Sequence, residues 1–143
     1  MILFHFTSRQ LLPKVKQEGI TKCSVPWLLL KNGKTRMMQG VQWLTASDDF
    51  DGQFWAIPQM LSAHRMRKTD NRITVAIPGP AQKNVVTWEH FARFHNLEVR
   101  HYFETFPDSK HWRIFIGKIP PSWFIETHQN PTYYDLAGLL EQE

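Results

Sequence analysis

The sequence predicts a single α+β domain over residues 1–143, with a mixed or mainly antiparallel sheet and short flanking helices. A length of 143 residues is close to one ordinary domain and lets a chain bury roughly two-thirds of its unfolded surface. An apolar fraction of 42% and an aromatic fraction of 13% indicate a packed core and argue against disorder. Strand-like segments do not alternate regularly with helical ones, which disfavours a doubly wound parallel sheet.

Alternation of apolar and polar residues predicts the strands. Residues 2–7 alternate in this way, so His5 and Thr7 share one face of a first strand. Residues 72–77 form the clearest strand, rich in β-branched side chains and ended by a Pro-Gly-Pro sequence. Shorter strands are predicted over residues 41–45, 112–116 and 123–127.

Helical spacing and capping residues predict the helices. Residues 9–18 carry apolar side chains at helical spacing, with Ser8 as N-cap and Gly19 as the residue that ends the helix. Shorter helices are predicted over residues 88–95 and 133–140. The acidic stretch 46–53 is predicted to be a turn, with Ser47 or Asp48 starting a helical segment through Trp55. The polar, basic stretch 31–40 is predicted to be a flexible loop near the site.

Composition excludes several classes of function. The single cysteine, Cys23, can form neither an internal disulfide nor a thiolate cluster for zinc, and it is predicted to be a small packed or half-buried residue. The histidines lack metal-ligand spacing, so no metal is expected. Without a signal peptide or a membrane-spanning apolar run, the sequence predicts a cytoplasmic protein with no membrane contact. A net charge of +4 permits nucleotide, nucleic-acid or acidic protein partners without requiring any.

Three short segments, in the correct order, resemble the ADP-ribosyltransferase-like superfamily. They are Leu3-Phe4-His5-Phe6-Thr7-Ser8 with the helix exit Glu18-Gly19-Ile20, then Val41-Gln42-Trp43-Leu44-Thr45, then Gly117-Lys118-Ile119-Pro120-Pro121-Ser122-Trp123-Phe124-Ile125. The third is also similar to a stretch of the RNA 2′-phosphotransferases. The resemblance implies a mono-ADP-ribosyltransferase fold that binds NAD and modifies a protein or nucleic-acid target, as a small bacterial or phage effector does.

The resemblance also implies the cofactor-binding residues. His5 corresponds to the residue that binds the nicotinamide-side ribose of NAD, and Thr7 supports it or touches the ligand. Trp43 walls off the nicotinamide ring, and Thr45 offers a hydroxyl to the amide or the ribose. Each residue also has a structural alternative: His5 as a core histidine bonded to backbone, Trp43 as core, and Thr45 as a strand-end cap.

The glutamate that the transferases use is missing from its expected position, near Trp112. A carboxylate there stabilises the positive charge that develops on the ribose as nicotinamide leaves. The nearby substitutes are Glu126, in an apolar setting, and Asp108, with Glu104 a further candidate. The alternative for Glu126 is a solvent-facing strand residue. Two other functions therefore remain open: a catalytically inactive module that binds a nucleotide or a protein, and a basic nucleic-acid-binding domain.

A basic group precedes the clearest strand. It comprises Arg65, Arg67, Lys68 and Arg72. Arginine suits phosphate because its planar fork binds two oxygens at once. Arg72 is the preferred pyrophosphate ligand, since the strand positions it, and the other three are predicted to lie on a solvated face.

Overall fold

The computed structural model describes residues 1–29, 32, 35–53, 68–93 and 104–131. The strands within these ranges are β1 (Ile2–Thr7), β2 (Ser24–Leu29), β3 (Thr35–Gln39), β4 (Val41–Thr45), β5 (Asn71–Ala76), β6 (Val85–Thr87), β7 (Trp112–Ile116) and β8 (Phe124–Gln129). The α-helices are α1 (Leu12–Glu18) and α2 (Trp88–Arg93), and short 3₁₀ helices cover Gly79–Asn84, Pro107–His111 and Pro121–Trp123.

Six of these strands form one sheet in the order β6-β7-β4-β1-β5-β8, and every neighbouring pair is antiparallel. Strands β2 and β3 pair with each other in a separate antiparallel sheet. The predicted α+β class with an antiparallel sheet and short helices is confirmed. The predicted bounds of β4 and β7 are also confirmed, whereas β5 and β8 differ from prediction by one or two residues at their ends.

The pairing register assigns side chains to the two faces of the sheet, because residues opposite each other in an antiparallel ladder point the same way. The α1 face carries a core cluster that packs against α1: Leu3, Ile20, Leu44, Ile73, Val75, Ile77, Phe115 and Ile119. The α2 face carries a second cluster that includes the buried residues of α2: Val41, Trp88, Phe91, Ala92, Trp112 and Ile114. The sheet is thus covered on both sides by apolar packing.

Helix α1 begins three residues later than predicted. Ser8 does not cap it; instead the Leu11 N–H donates to Ser8 Oγ at 3.3 Å and the Leu12 N–H donates to the Ser8 carbonyl at 3.0 Å. These bonds form a turn before the helix, and Pro13 then lies in the first helical turn, where its missing N–H costs nothing. The end is as predicted, with Gly19 at φ 90° and its N–H bonded to the Val15 carbonyl.

The prediction of a flexible loop over residues 31–40 is wrong for Thr35–Gln39, which form β3. This strand pairs with β2, and the paired residues run from Ser24 opposite Gln39 to Leu29 opposite Thr35. The backbone hydrogen bonds of β3 are made to β2. The polar composition of residues 31–40 carries no information about this pairing, so it indicated a loop.

The turn predicted over residues 46–53 is confirmed, whereas the helical start predicted at Ser47 or Asp48 is wrong. The Asp49 N–H donates to Ser47 Oγ at 3.4 Å, and the Asp51 N–H donates to Asp49 Oδ1 at 3.0 Å. Serine and aspartate side chains that bond the nearby backbone compete with helix formation, so these residues form turns. The remainder of that segment through Trp55, the end of the helix predicted over 88–95, and the helix predicted over 133–140 lie outside the described residues.

Candidate functional site

A histidine side chain enters the junction between β1 and β4. Strand β1 pairs with β5 along its full length, whereas it pairs with β4 through Phe4 and Thr45. Next to that pair, His5 Nδ1 lies 2.9 Å from the carbonyl oxygen of Trp43. The carbonyl of Trp43 on β4 is therefore bonded by a side chain of β1, where a regular antiparallel ladder would supply a backbone N–H of β1.

This contact determines the tautomer of His5. A carbonyl oxygen only accepts hydrogen bonds, so Nδ1 carries the hydrogen and, in the neutral ring, Nε2 is an acceptor. Burial lowers the pKa of His5 below its usual 6.5; the bond to Trp43 opposes that shift, and the positive charge of Lys68 adds to it. His5 is therefore neutral at pH 7, with Nε2 able to accept a hydrogen bond from a hydroxyl.

Cys23 interacts with the backbone of the same residue as His5, Trp43. The Cys23 sulfur makes this interaction, and the Cys23 N–H donates to Gln42 Oε1 at 3.0 Å. Gln42 is completely buried, and its Nε2 donates to the Gly117 carbonyl at 2.9 Å, which ties the Cys23 segment to β4 and to the turn after β7. Burial raises the pKa of the Cys23 thiol above 9.0, against smaller opposing effects of the Trp43 backbone and Lys68. The thiol is thus protonated at neutral pH.

Lys68 supplies a positive charge on the same side. It lies three residues before Asn71, which pairs with Thr7 at the end of β1. Its charge acts on both His5 and Cys23, and partial burial lowers its own pKa below 10.5, opposed by the interaction with Cys23. We refer to His5, Thr7, Cys23 and Lys68 as the His5 cluster. Within it, Thr7 lies on the α1 face with His5, as alternation predicts, and is 4% exposed.

Trp43 and Thr45 point away from the His5 cluster. Their side chains lie on the α2 face, because Thr45 pairs with Phe4 and Trp43 lies two residues along the same strand. The Trp43 ring packs against Trp88 and Trp112 with centroid distances of 5.2 and 5.4 Å. Thr45 is buried, and its Oγ1 accepts a bond from the N–H of Ser47 at 3.1 Å. The structure therefore places Trp43 in the core and gives Thr45 the strand-end cap.

Arg72 also lies on the α2 face, since it pairs with Phe6 of β1. Its guanidinium carbon lies 5.6 Å from the ring centroid of Phe4 and 5.1 Å from that of Phe50, and its Nη1 donates to the Asp48 carbonyl at 2.7 Å. It lines an open cavity of about 340 Å³ together with Asp48, Asp49, Phe50, Asp51, Asn130 and Pro131. Carboxylates in that wall disfavour a pyrophosphate there.

The two predicted acids are also distant from His5. Glu126 pairs with Thr74 on the α2 face, its side chain is 61% exposed, and its Oε2 lies 3.8 Å from His128 Nδ1. Asp108 is 5% exposed, and its Oδ2 accepts a hydrogen bond from Trp112 Nε1 at 3.0 Å.

These two carboxylates do not form a pair. Asp108 is bonded to the first residue of β7 and Glu126 lies on β8, and the sheet order places β4, β1 and β5 between these strands. Four interstrand spacings of about 4.8 Å separate β7 from β8 by roughly 19 Å.

The structure brings together His5 and Thr7, and it adds two residues that sequence reasoning did not assign to the site. Cys23 is half-buried, in agreement with the prediction of a packed or half-buried residue, and no motif in the sequence links it to His5. Lys68 was predicted to lie on a solvated face with Arg65 and Arg67, which fall outside the described residues.

Comparisons with protein-family models, curated proteins and solved structures find no match to this chain. Within the described ranges, no helix is long and apolar enough to cross a membrane, and no group of three metal-ligating side chains occurs. The class that fold and site define is therefore an antiparallel α+β protein with a half-buried histidine and cysteine, and an exposed lysine, near a strand junction.

Proposed function

We propose that this protein binds NAD or a related nucleotide at the His5 cluster, as a binding module that does not turn the ligand over. The observation that carries this proposal is the bond from His5 Nδ1 to the Trp43 carbonyl. Because that bond orients the ring and leaves Nε2 as an acceptor, His5 can receive the hydrogen of a ribose hydroxyl. The resemblance of the first strand to that of the ADP-ribosyltransferases supports the same role for His5.

The positions of the acids favour a binding module over a transferase. Transfer of ADP-ribose needs a carboxylate close to the ribose carbon that becomes positively charged. Glu126 is solvent-exposed on the α2 face, and Asp108 is buried against Trp112. Neither lies beside His5, so neither of these two acids can supply that charge to a ligand bound there.

The sole thiol of the chain provides a direct readout of ligand binding. NAD is titrated into the protein by calorimetry, and the rate of Cys23 alkylation by iodoacetamide is followed by mass spectrometry with and without NAD. We expect NAD to bind and to slow the alkylation of Cys23, since this half-buried thiol lies in the site. The mixture is then assayed for free nicotinamide, and lysate incubated with labelled NAD is assayed for labelled protein or nucleic acid.

Substitution of His5 separates the ligand-binding role from the structural one. His5→Asn keeps a donor near the position of Nδ1, and hence the bond to Trp43, but removes Nε2. We expect it to weaken NAD binding by about tenfold, the value of one hydrogen bond to a ligand. His128→Asn is the matched control, because His128 is exposed on β8.

Binding without release of nicotinamide supports the proposal. Release of nicotinamide shows that NAD is cleaved, and labelled protein or nucleic acid in the lysate shows a transferase; either result overturns the non-catalytic part. Absence of NAD binding together with unchanged alkylation of Cys23 overturns the nucleotide site itself.

A further inference from the structure

We propose that the open cavity beside Arg72 binds a small zwitterion with more ammonium than carboxylate groups, as a dibasic amino acid has. The cavity, of about 340 Å³, is in the size range of sites for small ligands. Its wall holds one guanidinium group and the carboxylates of three aspartates. The register places Arg72 on the α2 face and His5 on the α1 face, so this site and the His5 cluster lie on opposite sides of the sheet.

Contacts within the protein hold the Arg72 guanidinium in a fixed orientation. Its Nη1 donates to the Asp48 carbonyl at 2.7 Å, and its guanidinium carbon lies 5.6 and 5.1 Å from the ring centroids of Phe4 and Phe50. The Phe50 ring in turn packs edge-to-face on Phe6, with centroids 5.5 Å apart. A guanidinium group that is already oriented loses little conformational entropy when it binds a ligand.

The same guanidinium group has donors that the protein leaves unsatisfied. Its Nε is buried and has no hydrogen-bond partner in the described part of the chain. Among the ion pairs of the described residues, none joins Arg72 to a carboxylate, although three aspartates line the same cavity. Because guanidinium binds a carboxylate through two oxygens at once, a half-buried arginine in this state favours a ligand with a carboxylate.

The aspartates belong to a loop that its own hydrogen bonds hold in place. Asp49 Oδ1 accepts the Asp51 N–H at 3.0 Å, and Gln53 Nε2 donates to the Asp49 carbonyl at 2.8 Å. Asp48 and Asp51 are exposed and line the cavity. Three carboxylates against one guanidinium give the wall an excess of two negative charges, which attracts ammonium groups.

The arrangement of these charges selects the class of ligand. Because Arg72 forms no ion pair with the aspartates among the described residues, one molecule can meet both charges with a carboxylate and an ammonium group at different positions. Lysine has this form, with a carboxylate for Arg72 and two ammonium groups for the acidic loop. Its methylene chain can pack on the Phe50 ring, which also lines the cavity.

The test compares three ligands by calorimetry: lysine, norleucine, which lacks the side-chain ammonium, and cadaverine, which lacks the carboxylate. We expect the wild-type protein to bind lysine about tenfold more tightly than either of the others, the value of a charge-assisted hydrogen bond. Arg72→Gln should remove the preference for lysine over cadaverine. Asp51→Asn should reduce the preference for lysine over norleucine by about threefold, since one of the exposed carboxylates is lost.

Control variants separate the site from the charge of the protein as a whole. Arg93→Gln and Glu89→Gln change exposed side chains of α2, which packs against β6 and β7 toward the other end of the sheet. Both should bind the three ligands as wild type does. The melting temperature of Arg72→Gln is measured first, because Arg72 contacts two aromatic rings. Asp51→Asn alters an exposed side chain and tests the site even if Arg72→Gln does not fold.

Several results would overturn this assignment. Equal affinity of the wild-type protein for lysine and cadaverine would show that Arg72 binds no carboxylate, and equal affinity for lysine and norleucine would show that the aspartates bind no second ammonium group. Unchanged lysine binding in both Arg72→Gln and Asp51→Asn, or protection of Cys23 from iodoacetamide by lysine, would locate the ligand elsewhere. Absence of lysine binding up to about 10 mM would exclude the site and leave the nucleotide proposal at the His5 cluster untouched.

Discussion

His5 and Cys23 meet at the backbone of a single residue, Trp43, whose carbonyl accepts a hydrogen bond from His5 Nδ1 at 2.9 Å and whose backbone also contacts the Cys23 sulfur. Two side chains from distant segments thus converge where β1 and β4 pair through Phe4 and Thr45. The arrangement holds one imidazole nitrogen in a structural bond and leaves the other for a ligand.

Stability should depend on pH through His5. Its folded pKa lies below the unfolded value of 6.5, so the unfolded chain takes up the proton first as the pH falls. The contribution of His5 is therefore fully present above pH 6.5 and is lost as the pH falls from there toward its folded pKa. We expect His5→Asn to reduce the loss of stability between about pH 7 and about pH 5, measured by urea unfolding. His128→Asn serves as the control. If the free energy of unfolding changed with pH equally in wild type and His5→Asn, the lowered pKa of His5 would be contradicted.

The charged amine of Lys68 should lower the stability of the fold. Its pKa in the folded protein lies below 10.5, so the unfolded chain takes up the proton first as the pH falls through 10.5. Protonation of Lys68 therefore lowers the free energy of unfolding, and this loss is present at neutral pH. We expect Lys68→Met to raise the melting temperature at about pH 7, where a lysine of ordinary pKa is charged. Lys83→Met, at an exposed position, should leave the melting temperature unchanged. A lower melting temperature for Lys68→Met would show that the amine contributes to folding instead.

Gln42 should hold the Cys23 segment in place. Gln42→Leu leaves the Cys23 N–H and the Gly117 carbonyl without the partners they have at 3.0 and 2.9 Å. Two partly buried polar groups without partners cost about 2–4 kcal/mol together, and we expect that loss in the free energy of unfolding. Gln39→Leu, at an exposed position of β3, is the matched control and should change stability little. Equal effects of the two substitutions would show that the two bonds of Gln42 contribute no net stability.

Gly19 should be far less tolerant of a side chain than Gly40, although both have positive φ. A Cβ at Gly19 would overlap the Ile119 carbonyl oxygen, which accepts the 2.9 Å hydrogen bond from the Ile20 N–H, whereas a Cβ at Gly40 meets nothing within 4 Å. We expect Gly40→Ala to cost about 1–2 kcal/mol, the penalty for the left-handed conformation alone. Gly19→Ala should cost more, measured by thermal unfolding. Similar losses for the two would show that the backbone near Ile119 moves to accept the methyl group.

Much of the sheet was predictable because the signal for it is local. Alternation and β-branched residues place β1, β4, β5 and β7 within a residue of their observed bounds. Alternation also places His5 and Thr7 on one face, since that relation lies within a single strand. Strand β3 was missed because its hydrogen-bond partners belong to β2.

The sequence by itself determined the α+β class, four strands of the sheet and the shared face of His5 and Thr7, because each depends on the period of neighbouring side chains. Only the tertiary structure decided which other residues join them. The single pair of Phe4 with Thr45 turns Trp43 and Thr45 toward the α2 face, and the pairing of β5 with β1 places Arg72 there as well. The register of one strand against another depends on packing across the whole sheet, so no short stretch of sequence specifies it. For the same reason, the approach of Cys23 and Lys68 to His5 is visible only in the folded chain.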